Sequence, residues 1–403
     1  MDWLEPGSLT WRFQQAREVF VDVFERRRRP GRTYSGFVQA QLLHGHQLLG
    51  MVRPHLRQLI QQTAMDAGFW EIGGWVPIGT DGTRVNAPRT DSNQKGLGCC
   101  GRDAKDPQCW MTTLLHLPTG LPWDWVVDRG DAAERTHLEQ MLSCLPQKAL
   151  LIADAGYAGY DMWDAIIANQ RKFLFRIGAN VKLLTHLAAD HGMELRTFRD
   201  EGVVYLWPKN KQATHPPLKL RLVKIQDGKH TVSLITNVLE PARLSDADIQ
   251  RFYRMRWGIE LWFRSLKQTM GLDKLHSQAP RQAMLEFSWA AVGLSLMSLM
   301  HVQALIQAGK TPAQATCAGA LRVIRQAVRT YPNPHVKPGA LIKSLGQTVK
   351  DGYSRKNPKA SRDYPVKKTY RLSGSPEIRD ATNAEIKLYQ QFTTALNPGA
   401  FTA

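Results

Sequence analysis

The spacing of apolar and polar positions predicts a helical start, a mixed α/β middle and a helical end. Residues from about Trp11 to Thr63 read as helical, with a break at Pro30-Gly31. The pattern changes near residue 74. Trp75 to Thr80 (WVPIGT) reads as a strand that stops at Asp81-Gly82-Thr83, since Asp-Gly is a common turn pair. Arg84 to Pro107 is polar and irregular. Trp110 to His116 and Leu121 to Val127 flank Pro118-Thr119-Gly120 and predict a β-hairpin. Ala132 to Leu142 predicts a helix. The short apolar run Ala149 to Ala153 predicts a buried strand ending at Asp154-Ala155-Gly156-Tyr157. A helix (Tyr160 to Asn169) and a strand (Lys172 to Ile177) follow.

Residues 180 to 240 carry further β signal. Leu218 to Ile225 alternates, Asp227-Gly228 offers a hairpin turn, and Thr231 to Asn237 returns. Ser245-Asp246-Ala247-Asp248 is a good N-cap cluster for the next helix. If that helix continues through Lys267, Tyr253, Arg256, Glu260 and Lys267, spaced 3, 4 and 7 apart, fall within an arc of roughly 60° at ~100° per residue. Phe252, Met255, Ile259, Trp262, Phe263 and Leu266 fill an apolar arc beside it. The polar face then presents one carboxylate among three groups able to hold phosphate oxygens. An ordinary solvated face with an Arg256–Glu260 i,i+4 pair is the competing reading. Ala279 to Ile306 and Ala313 to Arg329 predict two more helices. Beyond Pro332 the chain is basic and Pro-punctuated, and Arg355 to Arg371 reads as a surface-laid or mobile tail.

Length and charge sharpen this picture. At 403 residues the chain exceeds one small core, and 43% hydrophobic residues suffice to bury a substantial one. A net charge of +18 points to a polyanionic partner, nucleic acid first. The longest apolar run, Phe287 to Met300, is shorter than the ~20 residues that span a bilayer and reads as a buried helix. Met1 to Glu5 shows neither the basic nor the apolar region of a signal peptide. Five cysteines, an odd number, fit a reducing compartment. Cys99, Cys100 and Cys109 lack the paired spacing of a zinc site. The run Arg26 to Arg29 is either a solvated helix end or a grip on a DNA backbone.

Three acids stand out: Asp81 and Asp154 at strand ends, and Glu260 on a helix. Converging carboxylates repel unless a cation intervenes. Oxygen-only donors suit Mg²⁺ or Mn²⁺, and two such ions can serve phosphoryl transfer.

Tyr253-x2-Arg256-x3-Glu260-x6-Lys267 resembles the Y-R-E-K signature of DDE transposases of the insertion sequence 4 family. Asp81-Gly82-Thr83 and Asp154-Ala155-Gly156-Tyr157 look like that family's first and second acidic motifs, and the resemblance covers roughly residues 75 to 280. It implies an α/β fold with an RNase H-like mixed-sheet core and an inserted β-rich subdomain, flanked by helical N- and C-terminal regions. The expected division is 1–70 (helical, basic, DNA-binding), 71–280 (catalytic, with the insertion at about 180–240) and 281–403 (helical, with the basic tail).

The resemblance further implies Asp81, Asp154 and Glu260 as catalytic and metal-binding residues, holding Mg²⁺ or Mn²⁺, two ions. It implies Tyr253, Arg256 and Lys267 as DNA contacts. The activity implied is cleavage at element ends, a hairpin intermediate in some relatives, and transfer of the 3′-OH into target DNA. The partners implied are double-stranded DNA and a second copy of the chain, with no membrane, in the bacterial cytoplasm at the nucleoid. A metal-dependent nuclease without strand transfer, and a domesticated DNA-binding protein, are the alternatives. One position departs from the family pattern: Val232 stands where relatives carry a tryptophan that stacks on a flipped base. Trp207, also in the insertion, is either a substitute π-face or a packed aromatic.

Overall fold

The computed structural model describes residues 3–4, 7–24, 30–100, 105–188, 202–227, 230–330, 339–352 and 374–396. The arginine run at 26–29, Gly228 of the hairpin turn and the tail at 355–371 lie outside them. In chain order the elements begin with α1 (Leu9–Val23), α2 (Tyr34–Asp66), β1 (Val76–Asn86), α3 (Asp91–Leu97), β2 (Gln108–His116), β3 (Leu121–Arg129), α4 (Glu134–Met141), β4 (Ala149–Ala153), α5 (Tyr160–Ala168) and β5 (Lys172–Ile177). There follow β6 (Lys182–Thr185), β7 (Gly202–Leu206), β8 (Leu218–Asp227), β9 (His230–Thr236), α6 (Asp246–Met255), α7 (Trp257–Arg264), α8 (Pro280–Gln307), α9 (Cys317–Thr330), α10 (Ala340–Gln347), β10 (Glu377–Asp380) and α11 (Asn383–Leu396).

The chain forms two compact units. One comprises Met1–Ile72, Asp81–His137 and Trp257–Tyr353; the other comprises Gly73–Thr80, Leu138–Arg256 and Ser354–Ala403. Strand β1 gives its first half to the second unit and its remainder to the first.

In the second unit the strand order is β10-β6-β7-β8-β9-β5-β4-β1. β4 (ALLIA) is buried at every residue, as a strand covered on both faces must be, and pairs in parallel with β1 and β5. Parallel neighbours need a crossover, and α5 supplies it between β4 and β5. β5 then pairs antiparallel with β9, and β7, β8 and β9 run antiparallel to one another. The predicted insertion therefore lengthens the same sheet. In the first unit β1 neighbours β2, and β2 pairs antiparallel with β3. Strands β3-β2-β1 and β1-β4-β5, with β2 reversed, give the 3-2-1-4-5 order of an RNase H-like core.

Two predictions change. β1 does not stop at Asp81 but runs on to Asn86. The reason is Gly82: a Cβ there would lie 2.6 Å from the Trp110 ring, so a residue without one lets the strand continue beneath that indole. The irregular stretch after it also holds a short helix, α3, capped by the Thr90 hydroxyl.

The first unit is otherwise helical around α8, which begins with proline at its first turn and packs against α2, α9, α10 and β3. α8 is the one described helix long and apolar enough to cross a membrane by length and composition, and 61% of its most apolar window is buried inside the protein. Gly346 of α10 lets the two helices touch: a Cβ there would stand 2.7 Å from the Ala304 carbonyl oxygen. On the other side, Arg53 and Arg57 of α2 both donate to the buried Asp124 carboxylate of β3.

In the second unit β10 and α11 return over the sheet edge. β10 adds in parallel to β6, and Ile386, Tyr389 and Phe392 pack on Leu184, Val203, Tyr205 and Trp207. Glu385 holds this return in place: it accepts two hydrogen bonds from Arg379 (2.7 and 2.9 Å) and others from Thr382 and Gln212. Arg379 foremost, with Thr382 and Gln212, holds its carboxyl at about 2, against 4.5 for a free glutamate. The stability contributed is complete above the unfolded value and is lost as pH falls through the folded one. Hydrogen exchange across 377–392, corrected for intrinsic rate, is therefore expected to rise between pH about 4.5 and about 2 in the wild type, a step that Glu385→Gln lacks.

Candidate active site

Asp154 follows the last residue of β4. Its backbone is extended (φ −82°, ψ 175°), and its Oδ1 accepts from the Ala155 amide at 2.7 Å, opening a 3-10 turn over Ala155–Tyr157. That hydrogen bond orients the carboxylate at the C-terminal end of the central parallel strand. Three side chains of the same unit gather around it. Arg176 of β5 places Nη1 3.7 Å from Asp154 Oδ1. Arg176 also hydrogen-bonds the Tyr253 hydroxyl, and the Arg256 guanidinium lies 5.6 Å from the Tyr253 ring centroid. Tyr253 is buried, and burial first, then the nearby Asp154 charge, pushes its phenol pKa up against the opposing pull of the two arginines. The hydroxyl therefore stays protonated and able to donate at neutral pH.

Asp154, Tyr253 and Arg256 thus come together as residues of one cluster, and Arg176 joins them. Sequence reasoning missed Arg176. The available signal was a single charge in the otherwise apolar end of KFLFRI, at a position only half-buried among buried neighbours.

Within the second unit the parallel register pairs Gly79 with Ile152, two residues before Asp154. The Thr80 and Tyr157 hydroxyls stand 3.5 Å apart, a long and weak contact. Asp81 itself is half-buried, and its Oδ1 accepts from the Gly82 amide at 2.8 Å. Below Gly82, Trp110 is held by Thr112 and covered by the Arg84 guanidinium, 3.6 Å from its ring centroid.

Glu260 and Lys267 belong to the first unit, with Asp81. The predicted single helix is in fact three pieces. α6 ends at Met255, α7 carries Glu260 in its first turn, and Ser265–Thr269 winds as a π-helix. The arc computed for one continuous α-helix therefore does not describe these four residues, because the wider π turn re-aims Lys267. α7 buries Ile259, Trp262 and Phe263 and packs on β2, the neighbour of β1, leaving Glu260 half-exposed. Lys267 is half-buried beside the fully buried Leu266, and burial lowers its ammonium pKa from 10.5. Among the described residues Lys267 has no hydrogen-bonding or ion-pair partner.

Asp81, Asp154 and Glu260 are all carboxylates, the donor type that Mg²⁺ and Mn²⁺ prefer. Among the described residues no group of three or more His, Cys, Asp or Glu side chains is already gathered to hold a metal ion. Of the cysteines near the first acidic segment, Cys109 is buried and its thiol is pushed up to about 12, which opposes the thiolate a zinc site needs. Trp207 is buried, its indole N–H donating to the His215 carbonyl at 2.7 Å, so it is a packed aromatic.

Residues 78–296, a little over half of the chain, match the family model described as Transposase DDE domain. The chain is 23% identical over 370 residues to the transposase InsG for insertion sequence element IS4 of Escherichia coli (strain K12), covering 87% of this chain and 81% of that protein. It is 28% identical over 157 residues to the putative transposase y4zB of Sinorhizobium fredii (strain NBRC 101917 / NGR234), covering 38% of this chain and 42% of that one. A cryo-EM structure of the piggyBac transposase synaptic complex with hairpin DNA is a distant neighbour. Its TM-score is 0.39 at 9% identity over 72% of this chain and 60% of that one, too remote to argue from. The matched span contains the Asp154 cluster, Glu260 and Lys267, and the chain belongs to the transposase DDE-domain family of DNA-cleaving and strand-transferring enzymes, with a resemblance to the transposases of insertion sequence 4.

Proposed function

We propose that this DDE transposase cuts DNA at the ends of its own element and joins the freed 3′-OH to a target, with Asp81, Asp154 and Glu260 as the metal-binding acids. The observation that carries this reading is the Asp154 corner. A carboxylate at the end of the central strand has the Arg176 guanidinium 3.7 Å from its Oδ1, and the nearby protonated Tyr253 phenol carries the Arg256 guanidinium beside its ring. Such a corner suits a metal-binding acid placed beside an anionic phosphodiester.

Members of the family use divalent metal ions. In this reading the three acids would hold Mg²⁺ or Mn²⁺, two ions, whose Lewis acidity would serve the attacking and leaving oxygens of phosphoryl transfer. The chain's own groups position the strand. Arg256 offers a planar fork to phosphate oxygens, Tyr253 donates one hydrogen bond, and Lys267 supplies a point charge. Arg176 acts on Asp154 and Tyr253 and so keeps both in place. Lys267 supports the reading independently, since a half-buried ammonium without a partner among the described residues gains most from an anion.

The remaining parts of the proposal rest on the resemblance. They are a DNA-binding role for residues 1–70, catalysis by 71–280, a C-terminal region from 281 to 403, a dimer that brings two ends together, and action in the cytoplasm at the nucleoid. With Trp207 buried and Val232 in β9, a hairpin step would need another aromatic to hold a flipped base.

Asp81→Asn, Asp154→Asn and Glu260→Gln should each slow nicking of DNA carrying the element's flanking repeats by more than about 100-fold, the upper cost of losing even an outer partner of a metal ligand. A variant that nicks at the wild-type rate is not one of the acids. With a pre-cleaved end and a supercoiled target the expected product is a joined molecule; hydrolysis alone would mark a nuclease.

Lys267→Ala should flatten the dependence of log K on log[salt] by about 0.9, one phosphate contact. The lowered pKa of Lys267 also sets a pH dependence: its contribution is full while the ammonium is charged and fades as pH rises through a value below 10.5. Lys267→Arg, charged throughout, should bind DNA without that fade. Fluorescence anisotropy over salt and pH series measures both effects.

A further inference from the structure

A cavity of about 650 Å³ opens in the first unit between α1, α2 and α8, and none of the acids or DNA contacts already named lines it. Its walls follow from the helices around it. Phe13 of α1 packs on Tyr34 and Phe37 of α2, with ring centroids 6.1 and 5.3 Å away, and this aromatic cluster makes one side. α8 makes another. It presents Glu286, Trp289, Gly293 and Leu296, spaced 3 or 4 apart and so on one helical face. These four are half-buried, whereas Leu285, Phe287, Leu294 and Met297 beside them are fully buried.

Three observations separate this cavity from a gap in the packing. The first is its buried donors. Arg12 Nε and Trp289 Nε1 are both buried without a hydrogen-bond partner among the described residues, and both side chains line the cavity. Such groups are rare in folded proteins, because each gives up water and gains nothing in return. The fold can satisfy an indole here: Trp3, also in the lining, donates to the Gly293 carbonyl at 3.0 Å. The second is charge. The lining carries two guanidiniums, Arg12 and Arg17, and one carboxylate, Glu286. Glu286 is already engaged, accepting from the His276 and Ser277 amides at 2.9 Å. Tyr34 feels these groups: burial first, then Glu286, pushes its phenol pKa up against the pull of Arg12, so its hydroxyl stays protonated as a further donor. The third is the remainder of the lining, which is apolar and includes Phe13, Phe37, Leu272, Ala290 and Leu296. Concave apolar walls with a few convergent polar groups, at a volume of about 300–1,000 Å³, are the marks of a small-molecule site.

We infer that this cavity binds an amphipathic anion of the fatty-acid kind, its carboxylate on Arg12 and its hydrocarbon body between the aromatic cluster and α8. A carboxylate matches the planar fork of a guanidinium, which offers Nε and one Nη side by side. That pairing gives the buried Arg12 Nε the acceptor it lacks. The hydrocarbon gains by leaving water for the apolar walls. A ligand without a head would leave Arg12 Nε as costly as before, and a head without a body would gain nothing from the rest of the lining. The inference does not rest on the proposed DNA-joining function, and the failure of either leaves the other standing.

The test is isothermal titration of the full-length protein with sodium decanoate below its micelle-forming concentration, for the wild type, Arg12→Gln and Leu48→Trp. Leu48 lines the cavity and is exposed, so the larger ring narrows the space without entering the core. The wild type should bind one decanoate per chain saturably, and acetate, the head alone, should not compete. Arg12→Gln should weaken binding by about tenfold or more, the effect of losing a hydrogen bond to a charged group. Leu48→Trp should weaken it as well. Thermal melting checks the fold of each variant. Should Arg12→Gln not fold, decanol against the wild type makes the same comparison, and it should bind about tenfold more weakly than decanoate. Absence of saturable decanoate binding overturns the inference. So does decanoate uptake that is equal in the wild type and both variants, which is adsorption to a basic surface, and so does decanol binding as tightly as decanoate.

Discussion

The parallel pairing of Val76–Gly79 with Ala149–Ile152 is the constraint on which the site depends. A side chain at the end of a strand goes where the register sends it, and a slip of one residue would turn it to the opposite face. This pairing is held by a fully buried central strand, by a second parallel neighbour in β5, and by the crossover helix α5. It sets the level at which Asp154 leaves β4, next to the strand from which Arg176 reaches it. Asp154 and Arg176 are thus attached to the buried central strands of the second unit, while the groups proposed to hold DNA come from helices and turns.

The charges around Asp154 show how such a site can be stable before a ligand arrives. The Ala155 amide and the Arg176 guanidinium orient the Asp154 carboxylate, and Arg176 is shared with the Tyr253 hydroxyl. The same arginine therefore links the acid to a residue on α6, so the two cannot move independently. Lys267 is the opposite case: burial disfavours its charge, and among the described residues nothing offsets that cost.

Much of the core was legible because local chemistry and tertiary context agree there. The β2–β3 hairpin follows from Pro118-Thr119-Gly120 between two apolar runs, β4 from five apolar residues in a row, and α6 from Ser245 at its N-cap. The exceptions each have a local cause. Asp81-Gly82 has the composition of a turn, yet the strand passes straight through because Trp110 needs the space that a Cβ would fill. The helix of Glu260 reads as one period, but a break at Arg256 and a π turn at Ser265–Thr269 reset its phase, and neither leaves a mark in the hydrophobic pattern. Arg176 was hidden because one charge in an apolar strand is not a motif until the fold supplies its neighbours.

The central claim is that Asp81, Asp154 and Glu260 jointly hold divalent cations when DNA is bound. Anomalous scattering at the manganese edge, from crystals of the protein with an end duplex and Mn²⁺, tests it most directly. The account predicts a manganese peak liganded by carboxylate oxygens of all three residues, with DNA phosphate completing the shell. A manganese peak bound elsewhere, or one that leaves Asp154 paired only with Arg176, would contradict it.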